Sequence, residues 1–298
     1  MRIFITLILL FSGLKAYEQK LKDSVPPVPF DYSRDFKVIL EKTKDRTSEL
    51  YYHKLLVKLL NIDSSISRPE VLALMIGFTE DAHYKPWEDM QTEKEIFDLN
   101  DSADYQGSLD ASKIYLATHP LSLRVNKERS YSYHQLKMKD SADYFMDLVD
   151  KIMGAMIYSG KGRTPETPIF SLGLDDGEHF IPNVGMTVAA KNTEWNKRNQ
   201  FVEVIDAMDE MGIHKNYYFV IQHAKDKVDD DTINDSQEKK PKKTKKKESK
   251  KESKKDSKKD SKKSKAGAAT DTIPPAVDSI PPVVSDSIPP AVKDSVPH

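Results

Sequence analysis

The spacing of apolar positions along this chain changes once, near Gly162, from a helical rhythm to a strand-like one. Before that point apolar residues recur at intervals of three and four, which places them on one side of a helix. Leu55, Leu56, Leu59 and Leu60 do so within Glu49–Asn61, a run without Gly or Pro. Ser67-Arg68-Pro69-Glu70 reads as the next helix start. Ser67 can accept from orphan amides, Pro69 lies in the first turn, and Val71, Leu74, Met75 and Phe78 form an apolar face. Tyr84, Pro86 and Trp87 mark an aromatic loop, and a short helix is expected over Thr92–Leu99.

The pentapeptide Asp-Ser-Ala-Asp-Tyr then occurs twice, at Asp101–Tyr105 and Asp140–Tyr144, and each copy is expected to open a helix. Tyr105, Leu109, Ser112 and Leu116 share one stripe; Tyr144, Leu148 and Ile152 share another. Pro120 stops the first run, and Leu121–Leu136 supplies its partner helix. Asp104-Tyr105, Ala111, Pro120 and the period resemble a tetratricopeptide hairpin, although thirty-nine residues exceed the roughly 34 of that repeat. A few antiparallel hairpins are therefore expected. They could offer a concave protein-binding face or simply support the domain.

After Gly162 the expected elements are strands: Ile169–Leu174, a return strand at His179–Ile181 after an Asp175-Asp176-Gly177 turn, Met186–Ala190, Phe201–Met208 and Tyr217–Ile221. Short connections favour antiparallel pairing. The fold class expected is α+β: tetratricopeptide-like helical hairpins, a small antiparallel β region and a disordered C-terminal tail.

The ends of the chain change the picture. Met1-Arg2, the apolar run Ile3–Phe11 and the small residues Ser12, Gly13 and Ala16 read as a secretory signal peptide over residues 1–16, too short to anchor as a span. Pro26, Pro27 and Pro29 make residues 17–29 an extended linker, the body occupies 30–225, and 226–298 is a Lys-rich and Pro-rich tail. The formal charge of −1 conceals an asymmetry. Glu238–Lys265 holds 16 Lys against 5 acids, a local +11, which leaves −12 for the remainder. Beyond it, Asp-Ser-Ile-Pro-Pro-like units recur at Asp271, Asp278, Asp286 and Asp294, echoing Asp23–Pro27; they suit a polyproline II spacer or a recognition peptide.

Another resemblance rests on Tyr105 and its helix, Ala117–Pro120, Ser159-Gly160-Lys161-Gly162-Arg163-Thr164-Pro165-Glu166-Thr167, Ile169–Leu174, Asp175-Asp176-Gly177-Glu178 and Tyr218-Phe219. Over roughly Phe30–Gln222 the chain resembles a bacterial family known as domain of unknown function 4919. The resemblance implies an exported Gram-negative protein with helical repeats followed by a small β region, and it brings no activity.

Candidate chemistry is sparse. The chain has no Cys, so thiol nucleophiles, cysteine metal sites and disulfides are excluded. Its 8 His are scattered and none forms an H-E-x-x-H pair. The helix–sheet junction collects the candidates Gly160, Gly162, Glu166, Asp175, Asp176 and His179. Gly160 and Gly162 could cradle phosphate, but following a helix they suit a C-cap with Gly160 left-handed. Asp175, Asp176, Glu178 and His179 could ligate a divalent metal or serve a turn. Glu166 with Arg163 could be an acid–base pair or an ion pair. No catalytic residue, cofactor or metal is assigned. The expected function is a periplasmic or surface binding or scaffold protein of the cell envelope with a protein partner, not transmembrane once the signal is removed. The alternatives are an envelope enzyme using the junction carboxylates, and a tail-driven binder of anionic polymer. Aromatic residues do not interleave the lysines, which argues against specific nucleic-acid recognition.

Overall fold

The computed structural model describes residues 29–238. The expected signal peptide, nearly all of the Pro-rich linker and the Lys-rich and Pro-rich segments lie outside the described residues. Among the described residues there are nine helices and four strands, an α+β arrangement with the helices first and the sheet after.

Helices α1 (Tyr32–Lys44), α2 (Tyr52–Leu60) and α3 (Arg68–Phe78) form the first layer. The α3 start expected at Ser67 is present: the Glu70 carboxylate accepts from the Ser67 amide and hydroxyl, both at 2.7 Å. Val71–Ile76 are all buried, so α3 is the central helix of the bundle. Helix α4 (Pro86–Asp101) is twice the length expected. Pro86 and Trp87 form its first turn rather than a loop, because proline at the first helical position loses no needed donor.

Helices α5 (Tyr105–Leu116) and α6 (Leu123–Gln135) make an antiparallel hairpin. Buried Arg129 donates to the Leu109 carbonyl (2.6 Å) and the Ser112 hydroxyl (2.9 Å), while Ser132 reaches Ser108. The long helix α7 (Lys139–Ser159) packs on α6 and on α3. The two pentapeptides adopt different structures. In the first, α4 ends at Asp101, Ala103 turns left-handed (φ 63°) and Asp104 caps α5 through the Gly107 amide. In the second, all five residues lie inside α7 and Ala142 is buried. Identical local sequence is overridden by what each copy packs against.

The sheet has the order β1-β4-β3-β2. Strands β2 (Thr187–Trp195), β3 (Phe201–Met208) and β4 (His214–Val220) form the expected antiparallel meander. Strand β1 is only Ile169–Phe170 and pairs parallel with β4, so the sheet is mixed. The return strand expected at His179–Ile181 is instead helix α8 (Asp176–Asn183). Gly177, Phe180 and Ile181 fall at helical spacing and are buried, and acidic residues favour a helix N-terminus. The acidic stretch from Asp226, expected to be loose, belongs to α9 (Gln222–Glu238), where Gln222–Asp226, Lys225–Asp229 and Lys227–Asp231 join residues one turn apart.

One continuous core runs from Leu40 and Leu55 through α3 and α7 to Phe170, Ile205 and Phe219, so the helical and β halves share an interior. His223 of α9 closes it, stacked on Phe170 (centroids 4.6 Å apart, 8° between planes). Burial holds this imidazole neutral and lowers its pKa to about 4.

Candidate functional site

The loop after α7 places the first two candidates. Gly160 is extended (φ −171°), not left-handed; the left-handed glycine is Gly162 (φ 63°). A Cβ on Gly160 would lie 2.0 Å from the Pro168 carbonyl oxygen, so the residue is glycine because backbone passes against backbone. The Gly162 amide donates to the Thr167 carbonyl (2.8 Å), and its own carbonyl accepts from the Tyr218 amide (2.9 Å). This amide is engaged within the fold. Glu166 is exposed; it is its backbone carbonyl that is held, by Arg198 at 3.1 Å. Arg163 stacks on Tyr217 (4.3 Å) instead of pairing with Glu166. Glu166 therefore does not join the junction carboxylates.

Asp175, Asp176 and His179 do come together at the N-terminus of α8. The His179 Nε2 lies 3.5 Å and the Arg124 guanidinium 3.7 Å from Asp175 Oδ2. Asp176 turns back and accepts from the Gly173 amide at 2.7 Å. Glu178 takes Lys191 of β2. Each carboxylate has a different partner, and among the described residues no group of three or more His, Asp or Glu is placed to hold a metal ion.

The junction also holds residues to which the sequence pattern alone assigns no role. Glu93 of α4 is buried and accepts from the Ser122 hydroxyl (2.6 Å) and the Tyr115 hydroxyl (3.1 Å). Burial, reinforced by the Asp176 and Asp175 carboxylates, raises its pKa to about 8. Burial likewise raises Asp176 to about 6, with Asp175 adding and the Gly173 amide opposing. On β3, burial and the Glu178 carboxylate push Glu203 up to about 8, and its Oε2 has no hydrogen-bond partner among the described residues. Glu93 has a readable signal: it shares the buried stripe of α4 with Ile96 and Asn100. Glu203 has none, because β3 is buried on both faces and shows no clean alternation.

His119 sits beside them, stacked on Tyr115 (4.2 Å, 4°). Its Nε2 faces Asp89 (3.1 Å) and the His83 carbonyl (3.0 Å), and its Nδ1 faces the Thr118 hydroxyl (2.8 Å) and the Tyr115 carbonyl (3.2 Å). The carboxylate and the two carbonyls only accept and the hydroxyl can accept, so an imidazolium carrying both protons is compatible with all four. Burial is the largest influence and pulls its pKa down, but the bond to Asp89, the Asp89 charge and the His83 and Tyr115 carbonyls together outweigh it, and the net shift is upward. Tyr84 completes the cluster with a bond from its hydroxyl to the Leu172 carbonyl (2.7 Å). Between these groups is a slot of about 30 Å³ whose lining includes Tyr84, Asp89, Glu93, Tyr115, His119 and Asp176. It is of the size that holds a water molecule.

A larger opening of about 380 Å³ lies in the helical half, between the α2–α3 turn and α7. Ile62, Ile66 and Val71 supply apolar lining, and Arg68, Asp147, Asp150, Lys151 and Gly154 much of the remainder. Ile62 takes a left-handed conformation (φ 50°), costly for a β-branched residue, in the position where helices usually end on glycine. Its side chain packs on the core at the same time.

The chain belongs to the family described as a domain of unknown function (DUF4919), whose model matches residues 37–230. No match was found among curated proteins or among solved structures.

Proposed function

We propose that this is an exported binding or scaffold protein of the cell envelope, engaging its partner through the helical half of the body. One observation carries the reading. The junction cluster is committed to internal contacts around a water-sized slot, whereas a larger opening lies between helices. A photo-crosslinking residue at Asp147 of the full chain, compared with one at Asp98 on the exposed side of α4, tests it in native envelopes. A discrete adduct from Asp147 alone is expected; no adduct, or the same adducts from both, overturns it.

A second reading, an envelope enzyme, is favoured by Glu93 and Asp176. Two carboxyl groups shifted to about 8 and about 6 beside one slot have values suited to acid–base work near neutral pH. If Glu93→Gln abolished a turnover measured with envelope material while the fold was intact, this reading would replace the first.

A further inference from the structure

Resting on the binding reading, we propose that the groove between the α2–α3 turn and α7 takes a short zwitterionic peptide, about three residues long with both ends free. Charge and spacing carry the inference. Arg68, Asp147 and Asp150 line the groove and make no ion pair among the described residues, although Lys58 with Glu70 and Lys139 with Asp143 do so on the same helices and turn. Lys151 is partly engaged, with its Nζ 3.3 Å from the Asp63 carbonyl. Asp147, Asp150, Lys151 and Gly154 form one stripe of α7 at the i, i+3, i+4, i+7 spacing.

Arg68 lies over the Gly154 end of that stripe: a Cβ on Gly154 would meet its Nε at 3.5 Å. Asp147 lies at the other end, seven residues away, or about 10 Å at helical rise. An extended peptide covers about 3.3 Å per residue, so three residues span the distance. The C-terminal carboxylate would meet Arg68, which can hold it through two parallel N–H donors. The terminal ammonium would meet Asp147 and Asp150, and an apolar middle side chain would rest on half-buried Ile62, above the buried Ile66 and Val71. The volume of about 380 Å³ falls within the roughly 300–1,000 Å³ of small-ligand pockets. Glycine at 154 leaves room for the Arg68 side chain to lie against α7.

Titration calorimetry on the full chain with Ala-Leu-Ala, its N-acetylated form and its C-amidated form tests this. Saturable binding of the free-ended peptide is expected, with each cap weakening it by about tenfold or more. Arg68→Gln should weaken the free peptide but not the amidated one. Asp147→Asn with Asp150→Asn should weaken the free peptide but not the acetylated one. Gly154→Leu should fill the groove and abolish binding, and because leucine favours a helix more than glycine does, the variant keeps its fold. No saturable binding, or equal binding of all three peptides, overturns the proposal. Loss of peptide binding with the Asp147 adduct retained would leave the binding reading standing with a different occupant. Peptide binding without any adduct would leave this inference and remove the protein partner.

Discussion

The hydroxyl of Tyr84 donates to the carbonyl of Leu172 across eighty-eight residues of sequence, at 2.7 Å and fully buried. One end of the bond lies in the α3–α4 turn and the other in the loop between β1 and α8, so it ties the helical half to the β half. Tyr84→Phe would keep the ring against Phe78 and leave a buried carbonyl without its partner. A loss of about 1–3 kcal/mol in urea unfolding is expected, with unchanged far-ultraviolet circular dichroism.

The repeated pentapeptide gives a prediction of opposite signs. Ala103 holds a strained left-handed backbone, whereas Ala142 is a buried helical residue. Ala103→Gly should stabilise the body by about 1 kcal/mol, and Ala142→Gly should destabilise it by about as much or more. Thermal melts of the two variants would check this, and equal shifts would contradict the conformations described.

Gly160 and Gly154 should also part company. An added methyl at Gly160 has to displace the Pro168 backbone, while at Gly154 it meets only the Arg68 side chain at ordinary distance. Gly160→Ala is expected to cost about 1–3 kcal/mol and Gly154→Ala to gain up to about 1 kcal/mol, read from denaturant midpoints.

Stability should fall as pH rises through neutrality. Glu93 and Glu203 hold their protons to about 8 in the folded state, against an ordinary value of 4.5 in the unfolded chain. The native protein therefore binds more protons across that window, and stability declines from about pH 4.5 to 8. His119, also raised, adds stability that is complete below its ordinary pKa of 6.5 and is lost as pH climbs through its folded value. His223 acts oppositely: its folded pKa of about 4 makes stability fall as pH drops from 6.5 toward 4. Glu93→Gln keeps a group able to bond Ser122 and Tyr115 and should flatten the decline between about pH 4.5 and 8. An unchanged pH profile of melting temperature in that variant would show that Glu93 titrates normally.

The helical half is readable from sequence because its signals are local. Ser67 and Glu70 sit three residues apart, and Pro120 ends α5 whatever surrounds it. The β half is readable in part. Phe201–Met208 and Tyr217–Val220 announce strands, but His179–Ile181 looks like a strand only until Gly177 is known to press against Glu203 and Phe219. The junction is half legible. Asp175, Asp176 and His179 are neighbours in sequence and in space, whereas Glu93, Asp89 and His119 reach them from helices and turns whose packing no local pattern specifies. Arg68 and Asp147, some eighty residues apart in sequence, line one groove only after α3 has been laid across α7.

Strand β2 ends the sheet with nearly every side chain exposed, while β3 beside it is buried on both faces. Releasing β2 would cost its backbone hydrogen bonds to β3, the Lys191–Glu178 ion pair and the contacts of Val188 and Trp195, but little buried apolar area. In deuterated solvent its amides should exchange earliest among those of the sheet, and a protease admitted to the body should find its first cleavable bond along Thr187–Trp195.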